Sequence, residues 1–480
     1  MEHDLAIYNL PESWQLTSLG ELLDRTGGSV QTGPFGSQLH ASDYVDTGIP
    51  SVMPKNISVE KIDSSDIARV SQEDIKRLAK YQLAEGDIVY SRRGDVEKCA
   101  LVGARENGWL CGTGCLRVRL GEVSEISPVF LHAYLSSPAI REWLSRNAIG
   151  ATMPNLNTSI LRDVPLLIPD QKTIEMIESC WESINKRLIL SESQNQTLEQ
   201  MAQALFKSWF VDFDPVVDNA LAASNPIPDE LAHRVEVRKK AHALPDFQPL
   251  PEHTRSLFPS EFEQTDEPTV GIDGWVPKGW SVMSLGDVTK ELRRGISPKY
   301  TDEGGVQVVN QKCIRNHEVN YALSRRNDPT LRKVDGREIE VGDVLVNSTG
   351  VGTLGRLAQV NAVPEPTVVD SHVTVVRPNP QICPIYFFGQ LMVSNERSIE
   401  SLGEGSTGQT ELSRRILAEQ LVLVPPYEQA MLIEGQLKSL SDKSSLNLKQ
   451  NSALAKLRDT LLPKLISGEI NIKDTKECNG

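Results

Sequence analysis

The sequence predicts an α+β protein in which two repeated mixed α/β globules are separated by an antiparallel pair of long, coiled-coil-like helices. Three observations carry this prediction: a tandem repeat at an offset near 256 residues, matched strand-like runs that end at glycine turns, and an apolar 3-4 pattern following each globule. At 480 residues the chain is also too long for one core.

The repeat is legible in order along the chain. LPESWQLTSLGEL from Leu10 matches VPKGWSVMSLGDV from Val276, GDIVYSRRG from Gly86 matches GDVLVNSTG from Gly342, and LRDVPLLIPD from Leu161 matches LAEQLVLVPP from Leu417. Each half opens on a Pro-x-x-Trp segment and continues through short apolar runs entering glycine turns, which read as strands. Segments 130–147 and 385–402 read as helices. Trp14 and Trp280 occupy equivalent positions and read as core.

The helical patterns come next. Ile174, Ile177, Trp181, Ile184, Leu188, Ser191, Asn195, Leu198, Ala202, Leu205 and Trp209 recur in steps of three and four. Ile433, Leu437, Leu440, Ser444, Asn447, Asn451, Leu454, Arg458, Leu461 and Leu465 do the same. Such spacing lays one side of a helix on a partner, so Trp181, Leu198, Leu205, Leu437, Leu454 and Leu461 are the expected seam. Ser191 and Asn195 coincide with Asn447 and Asn451 under the 256-residue shift, and polar seam residues fix register at a cost in stability. Residues 171–209 would span about 58 Å at ~1.5 Å per residue, more than a globule needs for its own packing. Asp170 is placed to cap the first helix, and Pro425 and Pro426 precede the second.

The resulting boundaries are a first globule at 1–167, a central helical region at 168–218, a linker at 219–270, a second globule at 271–424, a C-terminal helical region at 425–470 and a tail at 471–480. The linker holds seven prolines and nine acids against five bases, and it reads as extended.

Composition narrows the function classes. No apolar run approaches the ~20 residues of a membrane helix, and the acidic N-terminus has no signal-like apolar core, which together point to the cytoplasm. Cys111 and Cys115 form a close pair with no second pair and no nearby histidine, so buried free thiols are expected, with no metal site. The net charge is −14, yet residues 288–337 carry eleven Lys/Arg against six Asp/Glu. That window contains Arg293-Arg294, Arg325-Arg326 and Arg332-Lys333. A locally basic surface on an acidic protein suits a polyanion, and acidity elsewhere repels it.

Catalytic signatures are missing. The sequence has no G-x-x-x-x-G-K-[ST], no (N/D)-P-P-(Y/F), no H-E-x-x-H and no G-x-S-x-G. The run from Gly350 to Gly355, GVGTLG, lacks the βαβ surroundings and later acid of a dinucleotide site. The expectation is a binding protein that is not an enzyme.

FKSWFVDFDPV (206–216), LFPSEF (257–262) leading to GWVPKGW (274–280), PPYEQ (425–429) and LLPKLISGEI (461–470) resemble the specificity subunits of type I restriction–modification systems. TGPFGSQL (32–39) and GATMPNLN (150–157) are typical as well, and the resemblance covers nearly the whole chain. Two departures are PDQKTIE at the first helix start and EGSTGQTEL (404–412) in place of GATMPNLN. The resemblance implies two target-recognition domains, each reading one half of a split double-stranded DNA site. It also implies helices that bind two methyltransferase (modification) subunits and a complex that recruits restriction/translocase subunits. S-adenosylmethionine, ATP and magnesium would then belong to the partners, with no cofactor in this chain.

On this reading, helices of ~50–60 Å limit the half-site separation to about 15 base pairs. Globules of different sequence imply an asymmetric site. Glycine-marked loops are the expected readers, because glycine admits close backbone approach. The candidates are Gln31, Ser37, Gln38, Ser91, Arg92 and Arg93 in the first globule, and Arg293, Arg294, Lys299, Gln311, Lys312 and Ser348 in the second. Arginine suits guanine and glutamine adenine, whereas lysine and serine often meet phosphate. Arg293 and Arg294 are expected to follow a helix or turn, with at least one exposed. Two rivals remain: a DNA methyltransferase or nuclease with diverged motifs, and a helical scaffold that binds no DNA.

Overall fold

The computed structural model describes residues 14–58, 61–64, 66–150, 154–350, 352–403 and 411–470. The tail and parts of GATMPNLN and EGSTGQTEL lie outside these residues. The chain divides into two compact units, Met1–Glu192 with Lys449–Gly480, and Ser193–Leu448. Each therefore contains a globule and a portion of both long helices.

In the first unit, strand Gln15–Ser18 pairs antiparallel with Pro165–Ile168. A four-stranded sheet runs in the order Ser29–Thr32, Cys115–Arg119, Ile88–Ser91, Cys99–Leu101. A second runs Tyr44–Val45, Ala68–Val70, Ile49–Val52, Leu110–Cys111, its last pair parallel. The second unit repeats this plan. Ser281–Ser284 pairs with Leu421–Val424, one sheet runs Thr289–Arg294, Val373–Pro378, Val344–Asn347, Leu357–Gln359, and the other Tyr300–Thr301, Arg325–Asn327, Val306–Val309, Thr367–Val369. Strand order and the single parallel pair recur, so the duplication holds at the level of topology.

Local sequence explains the elements. Ser18 and Glu21 form a reciprocal capping box at helix Leu19–Thr26, which ends at Gly27 with φ +79°. The predicted helix at 130–147 is two helices, Pro128–Leu135 and Pro138–Asn147, because Pro138 opens a new first turn where it has no amide to lose. The one at 385–402 likewise breaks, at Asn395, into Ile385–Ser394 and Glu396–Ser401.

The long helices are Gln171–Phe206, 36 residues, and Tyr427–Ile466, 40 residues. The first continues into a π-turn at Lys207–Val211. Asp170 accepts the Thr173 amide at 3.0 Å, the cap the sequence predicts. In the first unit Ile174, Ile177 and Trp181 share a core with Leu462, Leu465, Ile466 and the globule's Leu19, Phe130 and Leu167. In the second, Ala202 and Phe206 join Ile433, Leu437, Trp280 and Phe387. Trp280 donates to Gln429 in the first turn of its helix at 2.8 Å, and Trp14, only half-buried, donates to Asp170 at 3.3 Å.

The seam differs from expectation in its centre. Trp181 and Leu437 are buried, but Leu198, Leu205, Leu454 and Leu461 are half-buried. Buried polar side chains take much of the contact. In the second unit Asn447 donates to Asn195 at 2.9 Å, and Asn195 donates to the Ser444 carbonyl at 3.3 Å. In the first, buried Arg458 donates to Asn185 at 3.2 Å with its guanidinium 5.4 Å from the Trp181 ring centre. A polar group so enclosed must be partnered, and that requirement selects one register.

Segment 219–270 is not an extended linker. Helices Asp214–Ala223 and Ala232–His242 pack as a hairpin, fastened where Arg234 engages Asp214 and Arg238 engages Asp218 through paired hydrogen bonds. Glu252–Arg255 forms a further turn, and Phe262–Gln264 pairs with Trp275–Pro277. Two of its prolines mark element boundaries, Pro228 and Pro251 each preceding a helix.

Candidate nucleic-acid interface

The sheets place the predicted readers, and strand alternation sorts them. In the first unit Gln31 lies on strand Ser29–Thr32, not in a loop, and accepts from Arg117 at 2.8 Å. Gln38 accepts the Phe35 amide at 3.2 Å and the Tyr81 hydroxyl at 2.8 Å. Ser91 is buried and donates to the Arg93 carbonyl at 2.9 Å. These three are engaged in holding the globule together. Ser37 and Arg93 are exposed. Arg92 is half-buried, its guanidinium 5.8 Å from the centre of the exposed Phe35 ring. The two glycine loops that the sequence nominated thus meet at Phe35 and Arg92. Gly94, at φ +77°, turns the second loop with its amide on the Pro154 carbonyl.

In the second unit the corrections are larger. Arg293 and Arg294 lie on strand Thr289–Arg294 rather than after a helix or turn. Arg293 is 6% exposed, paired with Glu291 at 2.8 Å and donating to the Glu338 carbonyl at 3.0 Å. Arg117 of the first unit donates at 2.9 Å to the carbonyl of Gln82, the residue matching Glu338 under the repeat. The same internal carbonyl is satisfied by a guanidinium in both units, so Arg293 is structural. Arg294 is half-buried and holds Glu411 at 3.1 Å, the Leu412 carbonyl at 2.6 Å and the Ser371 carbonyl at 3.2 Å. Ser348 is fully buried against Thr374 at 2.6 Å. Gln311 donates to the Thr349 carbonyl at 2.6 Å. Only Lys299 and Lys312 of this set are exposed.

The basic window nonetheless yields a surface. Buried Asn327 accepts the Lys299 amide at 2.8 Å and donates to the Arg332 carbonyl at 2.9 Å. The Asp328 amide donates to the Lys299 carbonyl at 2.8 Å. These bonds gather Lys299, Tyr300 and Arg332 around one strand end, with Arg325 over the Tyr300 ring and Lys333 next to Arg332, all exposed. Arg326, facing the other way, is held by Glu365 at 2.6 Å and the Gly305 carbonyl at 3.1 Å. Composition had already marked Arg325-Arg326 and Arg332-Lys333 as basic doublets. The missing signal was alternation: on a strand, neighbouring residues of a doublet face opposite ways, so one is available and one is not.

Elsewhere in the two units, burial and ion pairing set the state of two histidines and two cysteines. His317 bonds Glu396 at 2.8 Å and Gln203 at 3.1 Å, with Glu199 at 3.4 Å. Burial opposes its charge, but the two carboxylates prevail and push the imidazole up to about 9. His132 in the first unit is buried against Trp181, rings 5.4 Å apart, and burial lowers it to about 4. Cys111 and Cys115 are buried free thiols, raised by the same cause. Among the described residues no cluster of three or more His, Cys, Asp or Glu is arranged to hold a metal, and no helix is long and apolar enough to cross a membrane.

Comparison with known proteins adds the family context. A family model described as the type I restriction modification DNA specificity domain matches twice, at residues 11–200 and 277–456. The HindI type I restriction enzyme specificity subunit of Haemophilus influenzae is 26% identical over 414 residues, 83% of this chain and 89% of that one. The MjaIX specificity subunit of Methanocaldococcus jannaschii is 22% identical over 475 residues, 98% of this chain and 96% of that one. Among solved structures, a type I restriction–modification S subunit from M. genitalium aligns over 95% of this chain and 96% of its own at 15% identity, with a TM-score of 0.43.

Proposed function

Because the chain belongs to the type I restriction–modification DNA specificity family and is a specificity subunit that recognises DNA sequence, we infer that its two units each read one half of a bipartite, asymmetric site. The observation that carries this reading is a conserved scaffold with changed surface. Strand order is repeated between the units, yet Phe35 and Arg92 line the junction in the first, whereas Tyr300, Arg325 and Lys299 line the strand end in the second. Equal frames with unequal readers recognise unequal half-sites.

The chain supplies recognition and no catalysis. Two methyltransferase subunits bind the helical regions, restriction/translocase subunits join that complex, and S-adenosylmethionine, ATP and magnesium act in those partners. A modified adenine leaves the stack to enter a partner's pocket, since chemistry on a paired base requires its extrusion. Reconstitution with the methyltransferase subunit, followed by mapping of methylated adenines, tests the reading. The expected pattern is two different short half-sites with an unread gap. A continuous or symmetric site overturns it, as does methylation or cleavage by the isolated chain with S-adenosylmethionine and magnesium.

A further inference from the structure

We propose that Arg325, stacked on Tyr300, reads a guanine in the half-site of the second unit, while the exposed Lys299, Arg332 and Lys333 around it contact phosphate. The proposal rests on the reading that this unit recognises one half-site, and it names the residues that do so. The guanidinium carbon of Arg325 lies 3.5 Å from the Tyr300 ring centre. Both residues are exposed, and Tyr300 is 40% accessible. A cation on an aromatic face at this range is attracted to the ring, and the stacking fixes the plane of the guanidinium fork. A guanidinium fork has an edge with two parallel N–H donors, the geometry that meets guanine O6 and N7 in the major groove.

The guanidinium of Arg325 is also among those of the second unit that no carboxylate holds. Within the second unit Arg293, Arg294, Arg326 and Arg377 each hold a carboxylate. Among the described residues Arg325 has none, in a chain carrying 64 Asp and Glu. Holding an arginine away from acids in so acidic a protein leaves its charge available to a polyanion. The repeat makes the difference specific to one unit. Val308 stands opposite Arg325 and Ser51 opposite Ala68, so alanine occupies the matching place in the first unit. The neighbouring arginines are equivalent as well, Arg326 donating to the Gly305 carbonyl and Arg69 to that of Gly48. Tyr44, matching Tyr300, is half-buried with its hydroxyl near the Met53 sulfur. One unit therefore carries a stacked guanidinium where the other has a methyl group, as a reader of an asymmetric site would.

The test uses the full chain reconstituted with its methyltransferase subunit, on the site that the wild-type complex methylates and on all its single-base variants. Arg325→Lys keeps the charge and the aliphatic stem but removes the fork, so the fold is preserved. The expected result is a loss of discrimination on the order of 10- to 100-fold at one guanine of one half-site, with the other half-site unchanged. Tyr300→Ala should weaken discrimination at the same base. An equal loss on every sequence, for Arg325→Ala accompanied by a salt slope lower by about one, would mean phosphate contact and overturn the proposal. Unchanged discrimination in Arg325→Lys, or an effect of Tyr300→Ala at a different base, would overturn it too. A wild-type complex without sequence preference would instead overturn the two-reader function on which the proposal stands.

Discussion

Arg293 and Arg294 stand side by side on one strand, and their surroundings assign them different costs. Replacing Arg293 with alanine removes a buried guanidinium from Glu291 and from the Glu338 carbonyl, a loss expected to destabilise by about 2–3 kcal/mol. Arg294→Ala loosens a half-exposed pair and should cost about 1 kcal/mol. Thermal melting together with DNA titration checks both; unchanged stability with altered preference at one base would move Arg293 into the interface. The two histidines set pH windows of opposite sign. An unfolded histidine titrates near ~6.5. His317 is raised to about 9, so its stabilisation is complete below pH ~6.5 and is lost as pH rises through 9. His132 is lowered to about 4, so its neutral form stabilises above pH ~6.5 and that contribution is lost as pH falls toward 4. Each amounts to a contribution on the order of 2 kcal/mol. Hydrogen exchange of the two units at pH 5, 7 and 8.5 should show the first unit weakening in acid and the second in base. The reverse order would contradict both assignments.

The helix pair shows what a 3-4 pattern does and does not reveal. It located both helices and the buried Trp181 and Leu437, because apolar period fixes which face turns inward. It could not weigh Leu198 against Asn195, since partner choice depends on the opposing helix. Asn447→Ala leaves the Asn195 side-chain oxygen without its donor and should cost about 1–2 kcal/mol. Replacing both asparagines with leucine should recover that loss, and a double-mutant cycle reads the coupling directly. Leu205→Asp, set against the second core, should destabilise far more than Leu198→Asp. Equal effects at the two leucines would disprove this placement. The same limit governed the interface. Glycine loops were legible and two of them meet at Arg92 and Phe35, but Ser91, Ser348 and Arg293 are buried by strands whose inward face no single doublet discloses. Segment 219–270 misled for a related reason: its Arg234 and Arg238 pair across a helical hairpin with Asp214 and Asp218, which precede it, so composition counted within the segment alone reads a charged linker.

At the scale of the whole molecule, the two units suggest where a chimera should be cut. Exchange of residues 1–165 with a relative would cut the ladder between Gln15–Ser18 and Pro165–Ile168, leaving Leu166, Leu167 and Ile168 to pack on foreign neighbours. It would also separate Trp14 from Asp170 and set a foreign globule on Ile174, Ile177, Trp181, Leu462 and Leu465. Native interiors are packed closely enough that mismatched volumes at such a boundary cost several kcal/mol. Exchange of Met1–Glu192 together with Lys449–Gly480 keeps that core of one origin. Both chimeras should change the same half-site and leave the other intact, because the readers of the first unit move in each. The wider exchange should melt close to the parent, and the narrower one several degrees lower, as ~1 kcal/mol shifts Tm by about 2–4 °C at this unit size. Methylation mapping and melting of the two chimeras side by side give the answer: if both half-sites change, or the narrower chimera is the more stable, recognition and folding do not divide along these units.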